Sequence, residues 1–154
     1  RLGVLNTVVT NYDFRSFPNL KFDVILLDAP CSSEGMCRKD PSFFRRWNER
    51  RYSYFSGIQK TLIAKAFNML NEGGTLLYST CTFSPEENEA VVNTLFENKS
   101  AEIIPISLPN LISSNGITEW NDSQYSSDLT NALRIWPYQN NTDGFFIAKI
   151  IKNA

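Results

Sequence analysis

Two cysteines each follow directly after a predicted β-strand, where they can do chemistry. Cys31 ends the segment Asp28-Ala-Pro-Cys31 after the apolar run at residues 24–27, and Cys81 lies in Ser-Thr-Cys-Thr after residues 75–78. In an open α/β sheet, ligands bind outside the carboxyl ends of the strands. We therefore expect the two thiols to meet over one substrate, where a thiolate can act as a nucleophile.

The chain contains no histidine, which limits the reactions open to it. This excludes Ser-His-Asp and Cys-His catalysis, histidine zinc sites and a histidine general base. Proton transfer must use carboxylates, thiols, lysine, tyrosine or water. The third cysteine, Cys37, brings the number to an odd count at spacings that fit neither a disulfide framework nor zinc knuckles. We predict free thiols and no metal site.

Strand and helix patterns alternate around these cysteines, which predicts a parallel α/β sheet. Strands are expected at residues 4–10, 22–27 and 75–78. The continuous apolar run at 22–27 is typical of a central strand that is buried on both faces. An amphipathic helix is expected over residues 55–70, ended by the glycine pair at 73–74.

A helix start is predicted shortly after Cys81. Ser84 is a candidate N-cap, Pro85 suits the first helical position, and Glu87 stands three residues after the serine. The positive end of that helix would lower the pKa of the Cys81 thiol from its reference value near ~8.5. Ser84 and Glu87 are accordingly assigned to capping rather than to catalysis.

The final third of the chain predicts a long loop followed by a hairpin. Residues 103–106 favour a short strand, and residues 107–131 are rich in Ser, Asn and Asp, which is typical of a loop or insertion. Residues 133–137 and 144–151 are two β-type runs separated by turn residues. They predict a terminal antiparallel hairpin.

Length and composition predict one compact domain, with 154 residues and 42% hydrophobic content. The sequence has no apolar stretch of membrane-spanning length and no signal-peptide pattern, so we expect a cytoplasmic protein that does not enter a membrane. A glycine-rich turn from strand to helix, which would cradle a nucleoside or phosphate, is missing. Residues 1–154 are therefore expected to form the later part of a catalytic domain, with an open sheet edge that favours self-association.

Six segments occur together in an ordered set. They are Asp28-Ala-Pro-Cys31-Ser-Ser-Glu-Gly, Arg38-Lys-Asp-Pro41, Asn71-Glu-Gly-Gly-Thr-Leu-Leu-Tyr-Ser-Thr-Cys81-Thr, Pro85-Glu-Glu-Asn-Glu89, Arg134-Ile-Trp-Pro137 and Asp143-Gly-Phe-Phe-Ile-Ala-Lys149. This set resembles the RNA cytosine-5 methyltransferases of the NOL1/NOP2/Sun (RsmB/RsmF-like) family. The resemblance covers most of residues 12–152 and is weakest between 107 and 131.

The resemblance implies an α/β, Rossmann-like fold that depends on S-adenosylmethionine and is N-terminally truncated in this sequence. It implies methyl transfer to carbon 5 of cytosine in rRNA or tRNA. By the family's pattern, Cys81 adds to carbon 6 of cytosine and Cys31 helps to release the product. The resemblance also places Asp28 near the methyl donor, where it would face the cytosine edge, and it implies that Asp13 contacts the cofactor's adenosine part. Pro30 would fix the turn that aims Cys31 at the substrate.

One basic segment stands out in a chain with a net charge of −1. Residues 38–52 carry six Arg or Lys residues and four aromatic residues, a combination that favours phosphate contacts and base stacking in RNA. Arg38 and Lys39 are the candidate RNA-binding residues. A solvated helix face is the alternative interpretation of this segment.

Two other functions agree with parts of the sequence. A catalytically silent RNA-binding module or remnant fits the missing glycine-rich loop. A DNA cytosine-5 methyltransferase fits Pro30-Cys31, but those enzymes use that cysteine as the nucleophile and do not need a second motif such as Thr80-Cys81.

Overall fold

An α/β sheet organises the chain in the computed structural model, which describes residues 4–40, 42–96 and 100–153. The strands are β1 (Phe22–Asp28), β2 (Leu70–Thr80), β3 (Ala101–Ile103), β4 (Ser114–Asn115), β5 (Glu119–Trp120), β6 (Ser123–Gln124), β7 (Leu133–Ile135) and β8 (Phe145–Lys152). The helices are α1 (Phe43–Arg46), α2 (Arg50–Asn68), α3 (Glu89–Asn93) and α4 (Pro137–Asn140). The predicted α/β class is confirmed.

The main sheet has the strand order β1-β2-β8-β7-β4, and β3 also pairs with β8. β1 and β2 are parallel, while β8 runs antiparallel to β2, β3 and β7. The register aligns Asp28 with Ser79 at the carboxyl ends of the parallel pair. The segments that carry Cys31 and Cys81 therefore leave the sheet side by side.

Helix α2 connects the parallel pair and covers one face of the sheet. Leu62, Ile63, Ala66 and Phe67 are buried on its inner side, at the spacing of an amphipathic helix. It begins five residues before the predicted start and ends at Asn68, before the glycine pair. Gly73 instead lies inside β2, where its φ of +72° favours glycine.

The hydrophobic core lies around β2 and β8, where they contact α2 and α3. Leu76 and Tyr78 of β2 and Phe146 and Ile150 of β8 are fully buried. Val91 contributes from α3. This packing holds the carboxyl end of β2, and hence Cys81, on a rigid base.

The prediction of a strand at residues 4–10 is wrong. Those residues form no strand, and Val8 and Val9 are each 89% exposed. β-branched residues favour an extended backbone, but a strand also needs a partner for its ladder. In the described part of the chain, β1 pairs with β2 alone, and Val24 and Leu26 are each 68% exposed. The expectation of a central strand buried on both faces is therefore also wrong here.

The predicted helix start at Ser84 is wrong as well. Residues 85–88 form turns, and α3 begins at Glu89 with Asn88 as its N-cap. The Ser84 hydroxyl donates to Glu86 Oε2 at 2.7 Å. The local cap signals did not decide the structure, because the Glu87 and Asn88 side chains are used in buried hydrogen bonds to other elements.

The predictions for the final third are largely confirmed. β7 and β8 form the antiparallel hairpin, with Leu133 opposite Ile147. Residues 107–131 contain only the two-residue strands β4, β5 and β6 and a 3-10 turn at Ser127–Asn131. The short strand expected at 103–106 forms slightly earlier, as β3. Within the described ranges, no helix is both long enough and apolar enough to cross a membrane.

Candidate active site

The structure brings the two thiols into contact at the carboxyl ends of β1 and β2. Cys31 Sγ lies 3.3 Å from Cys81 Sγ, within the distance of a sulfur hydrogen bond. Cys31 is buried and Cys81 is half-buried, so the second thiol is the more accessible of the two. Cys37 is half-buried and free.

The two thiols differ in their readiness to ionise. The pKa of Cys81 is lowered to about 6, mainly because it accepts a hydrogen bond from Cys31, with a smaller contribution from the Ser33 hydroxyl. Burial and the Asp28 carboxylate oppose this shift. The pKa of Cys31 is raised by the hydrogen bond to Cys81 and by burial. At neutral pH the pair therefore holds one thiolate, on Cys81, and one thiol.

The pKa of Cys81 is lowered, as the sequence predicts, but the physical cause differs from the predicted one. The sequence predicts that a helix beginning at Ser84 would stabilise the charge on Cys81. α3 begins only at Glu89 and has five residues. The neighbouring Cys31 thiol supplies the stabilisation instead, as a hydrogen-bond donor.

Asp28 and Pro30 lie beside the thiols on the Cys31 side. Asp28 is the last residue of β1; its side chain is exposed and accepts a hydrogen bond from the Ser79 hydroxyl at 3.3 Å. Pro30 is held through its carbonyl, which accepts from Gln59 Nε2 at 2.8 Å. The exposed carboxylate leaves acceptor sites open toward solvent at this edge.

Asp13 lies in a separate turn before β1. It is exposed, caps the 3-10 turn Phe14–Ser16, and forms an ion pair with Arg15 at 2.6 Å. The hydrogen bond from Arg15 lowers the pKa of Asp13 to about 2. Lys65 of α2 donates to the Arg15 carbonyl at 3.1 Å and so ties this turn to the helix. Asp13 is thus a fixed, exposed carboxylate whose side-chain partner is local.

Arg38 and Lys39 contact the turn between α4 and β8. Arg38 donates to Asn141 Oδ1 at 2.6 Å, and Lys39 forms an ion pair with Asp143. Together with Thr142 they line an open cavity of about 460 Å³. These contacts hold the loop that follows Cys31 against the end of the chain.

A backbone ladder that was not predicted from the sequence joins the two thiol segments. Gly35 donates its N–H to the Cys81 carbonyl at 2.8 Å, and Gly144 donates to the Gly35 carbonyl at 3.0 Å. A Cβ atom at Gly35 would lie 2.9 Å from the Cys81 oxygen and closer still to Gly144. Only glycine permits this approach, and its place four residues after Cys31 was the available signal.

Glu34 also links the two segments. Its Oε2 accepts from the Phe83 N–H at 3.2 Å and from the Thr82 hydroxyl at 3.3 Å. Its Oε1 accepts from Trp47 Nε1 at 3.1 Å and from the Tyr52 hydroxyl. Two aromatic residues of the basic segment therefore hold this carboxylate.

Three consecutive buried residues hold the two thiol segments in place through hydrogen bonds and an ion pair. Glu87 accepts from the Ser32 N–H at 2.9 Å. Asn88 accepts from the Thr80 hydroxyl at 2.6 Å and donates to the Thr82 carbonyl at 3.0 Å. Glu89 pairs with buried Arg134, which in turn donates to the Phe83 carbonyl at 2.9 Å. The sequence predicts Glu87 as part of a helix cap, and no local pattern indicates the supporting roles of Asn88 and Glu89.

No group of three or more His, Cys, Asp or Glu side chains is placed to hold a metal ion in the parts of the chain that the structure describes. The two thiols act on each other through hydrogen bonding. The chemistry that this arrangement allows is nucleophilic attack by Cys81, with Cys31 as its proton-carrying neighbour.

Several known proteins are similar to this chain in sequence. The family model described as 16S rRNA methyltransferase RsmB/F matches residues 1–151. A tRNA (cytosine(49)-C(5))-methyltransferase of Pyrococcus abyssi is 44% identical over 154 residues, which cover 99% of this chain and 49% of that protein. The human 28S rRNA (cytosine(4447)-C(5))-methyltransferase is 37% identical over 158 residues, which cover 99% of this chain and 19% of that protein.

A solved structure shows the same fold. The crystal structure of NSun6 from Pyrococcus horikoshii with SFG matches with a TM-score of 0.81 and 33% identity, over 99% of this chain and 36% of that one. This chain spans about half the length of the Pyrococcus abyssi relative and a smaller share of the human one.

Proposed function

This chain belongs to the 16S rRNA methyltransferase RsmB/F family, and from that premise we propose that it carries the thiol site of an enzyme that methylates carbon 5 of cytosine in RNA. Its α/β sheet is the Rossmann-like methyltransferase fold of its solved relatives. The observation that carries the proposal is the contact between Cys31 and Cys81 at the carboxyl ends of a parallel strand pair. The relatives quoted above, which are named for tRNA or rRNA cytosine methylation, support RNA over the DNA alternative.

Cys81 is the nucleophile of the proposed reaction. Its lowered pKa makes it a thiolate at neutral pH. The sulfur adds to carbon 6 of cytosine, and the electron pair of the 5,6 double bond makes carbon 5 the nucleophile toward the methyl group. A methyl group and a proton then both stand on carbon 5.

Cys31 is the proposed base for release. It stays protonated in the resting pair because the charged Cys81 accepts its hydrogen bond. When Cys81 bonds to carbon 6, its negative charge is gone and this cause of the raised pKa disappears. Cys31 then loses its proton to solvent and takes the proton from carbon 5. The bond between carbon 6 and Cys81 breaks, and Cys81 leaves as a thiolate.

S-adenosylmethionine supplies the electrophilic methyl group in the proposed reaction. Asp28 and Asp13 would hold it, because exposed carboxylates accept hydrogen bonds from hydroxyl and amino groups of an adenosine moiety. The solved relative that contains SFG, an analogue of this cofactor, supports the assignment. Asp28 would also accept from the cytosine edge.

Arg38 and Lys39 are proposed to bind RNA phosphates. The Lys39 side chain is 67% exposed, whereas the side chain of its partner Asp143 is only 15% exposed. The ammonium group can therefore contact a phosphate from the solvent side while it remains paired with Asp143. Pro30 is proposed to fix the backbone before Cys31 and so to aim the Cys31 side chain at the substrate.

The test is transfer of a labelled methyl group from S-adenosylmethionine to cellular RNA. It compares the 154-residue chain with the full natural protein, and each with its Cys81→Ala and Cys31→Ala variants. We expect the full protein to label carbon 5 of cytosine, Cys81→Ala to abolish labelling and covalent RNA attachment, and Cys31→Ala to retain attachment while slowing release.

Two outcomes would overturn the proposal. RNA binding without any label in the full protein would favour the silent module. Covalent attachment that survives in Cys81→Ala and is lost in Cys31→Ala would favour the DNA-type mechanism. A Cys37→Ala variant serves as the matched control, since that thiol contacts neither of the other two in the described hydrogen bonds.

A further inference from the structure

Two side chains form hydrogen bonds to the backbone on either side of Cys31. Gln59 of α2 donates from Nε2 to the Pro30 carbonyl at 2.8 Å, and Glu87 Oε2 accepts the Ser32 N–H at 2.9 Å. The same Gln59 Nε2 also donates to Glu87 Oε2 at 3.0 Å. Gln59 and Glu87 are both 0% exposed. The backbone position of Cys31 is thus set by a buried pair from two other elements.

One oxygen of each side chain in this pair has no partner. Gln59 Oε1 and Glu87 Oε1 are both buried without a hydrogen bond among the described residues. The amide of Gln59 cannot be turned over, because its oxygen would then face the Pro30 carbonyl and Glu87 Oε2, which are both acceptors. Buried polar atoms normally find a partner, so these two oxygens need an explanation.

A proton on Glu87 supplies that explanation. A carboxylic acid and an amide pair through two hydrogen bonds, N–H to the carboxyl oxygen and O–H to the amide oxygen. The first of these bonds is present between Gln59 and Glu87. A proton on Glu87 Oε1 would give Gln59 Oε1 its donor and would remove a buried negative charge.

The surroundings of Glu87 favour this neutral form. Burial raises the pKa of its carboxyl, the nearby Glu34 carboxylate raises it further, and the hydrogen bonds from Ser32 and Gln59 lower it in part. The Tyr78 hydroxyl donates to the main-chain carbonyl of Glu87 at 2.7 Å and not to its carboxyl group. Cys31 is also titratable and lies nearby, because Glu87 and Gln59 hydrogen-bond to the peptide groups on either side of it.

We propose that Glu87 is a protonated acid, paired with Gln59, and acts as the positioning residue that aims Cys31 at Cys81. This inference rests on the proposed function for its meaning in catalysis. The acid holds the Ser32 N–H without adding negative charge beside a pair of thiols that must hold one. Loss of these hydrogen bonds moves Cys31. Its thiol stabilises the Cys81 thiolate in the resting pair, and its thiolate takes the proton from carbon 5 during release.

The experiment compares the full natural protein with Glu87→Gln, Glu87→Ala and the neighbouring control Glu86→Gln. Glutamine keeps every hydrogen bond of a neutral acid, with its NH2 group donating to Gln59 Oε1. We expect infrared spectra at neutral pH to show a protonated carboxyl band in the parent and in Glu86→Gln, and to lack it in Glu87→Gln. Labelling and release rates of Glu87→Gln stay within about threefold of the parent.

Glu87→Ala gives the catalytic readout. We expect release of the covalent RNA adduct to slow by about 10- to 100-fold while adduct formation persists, because a small displacement of a catalytic group has that effect. The pH midpoint for alkylation of Cys81 rises in the same variant, since Cys31 no longer donates to it. A merely structural role would instead leave the alkylation midpoint of Cys81 in the folded variant at its value in the parent.

The proposal is overturned if the infrared band is absent from the parent, or if Glu87→Ala releases its adduct at the parent rate. Should Glu87→Ala fail to fold, as seen by circular dichroism, the infrared comparison of the parent with Glu87→Gln still decides the protonation state. Neither the infrared nor the alkylation measurement uses RNA. A failure of the proposed function would show as absent methylation with both of these results intact.

Discussion

The 3.3 Å contact between Cys31 Sγ and Cys81 Sγ makes the ionisation of each thiol depend on the other. Cys31 is the donor in this contact, and it is the main cause of the lowered Cys81 pKa. The contact therefore shifts the pKa values of two chemically identical groups in opposite directions. The half-buried thiol has the lowered pKa, and the buried thiol has the raised one.

The first prediction is that Cys31→Ala raises the pKa of Cys81 from about 6 toward the ordinary range of a free cysteine thiol. The removed thiol can no longer donate to the Cys81 sulfur. At pH 7 the thiolate fraction then falls, and we expect alkylation of Cys81 by iodoacetamide to slow by about tenfold or more. The measurement is the alkylation rate as a function of pH.

Cys31→Ser and Cys37→Ala are the controls for this experiment. A serine hydroxyl can still donate, so its midpoint should lie between those of the parent and Cys31→Ala. Cys37→Ala should leave the profile unchanged. An unshifted midpoint in Cys31→Ala would assign the low pKa to the Ser33 hydroxyl, which is the second group that favours the thiolate.

The second prediction concerns Gly35, which joins the two thiol segments. Alanine there would place its Cβ 2.9 Å from the Cys81 oxygen and closer still to the Gly144 oxygen. We expect Gly35→Ala to lower the free energy of unfolding by about 1–3 kcal/mol, the usual cost of overpacking. It should also separate the thiols and raise the alkylation midpoint of Cys81. Urea unfolding and the alkylation profile measure the two effects.

Gly57→Ala is the matched control for this substitution. Gly57 is exposed on α2, and a Cβ atom there meets nothing within 4 Å. Alanine should raise the free energy of unfolding by up to about 1 kcal/mol, because glycine is a poor helix former. Equal effects of the two substitutions would show that the close approach at Gly35 does not restrain the site.

The third prediction concerns the ion pair of Glu89 with Arg134, which is almost completely buried. Arg134→Met leaves an uncompensated carboxylate inside the protein and should cost about 3–5 kcal/mol in the free energy of unfolding. It also removes the donor to the Phe83 carbonyl. Urea unfolding of the single variant and of the Glu89→Leu/Arg134→Met double variant measures this cost.

The double variant should be more stable than Arg134→Met, because it leaves no unpaired buried charge. Arg15→Met is the exposed control, since it breaks a solvent-screened pair with Asp13 and should leave stability nearly unchanged. If the double variant were less stable than the single one, the carboxylate of Glu89 would be held by its other contact, the Ile117 N–H.

The meeting of the thiols could be predicted from sequence because it depends on two local patterns and one topological rule. Each cysteine follows an apolar strand run, and parallel strands end at the same edge of a sheet. The terminal hairpin followed from β-type runs separated by turn residues. The amphipathic spacing within α2 likewise predicted its buried face.

The support beneath the thiols could not be predicted in this way. The pattern from Ser84 to Glu87 has the ordinary form of a capping box, yet Glu87 faces Ser32, 55 residues earlier. Local propensity does not record which distant backbone group needs an acceptor. The same reasoning failed at residues 4–10, where β-branched side chains favour an extended chain but no ladder partner is present in the described structure.

The fourth prediction is that the 154-residue chain associates with itself through β1. Among the described strands β1 pairs with β2 alone, and Val24 and Leu26 expose apolar surface on one of its faces. An unpaired edge that carries apolar side chains pairs readily with another chain. We expect sedimentation velocity to show a mass that rises with concentration, and Leu26→Lys to shift the distribution toward monomer.

Ile25→Lys separates this effect from a loss of stability. Successive residues of a strand point to opposite faces, and Ile25 is partly buried against the core while Leu26 is exposed. Lysine at position 25 should therefore unfold the protein at lower urea concentration, whereas lysine at position 26 should reduce association with little change in stability. A monomeric parent at every concentration would mean that the exposed edge of β1 is blocked by its own twist or by its flanking residues.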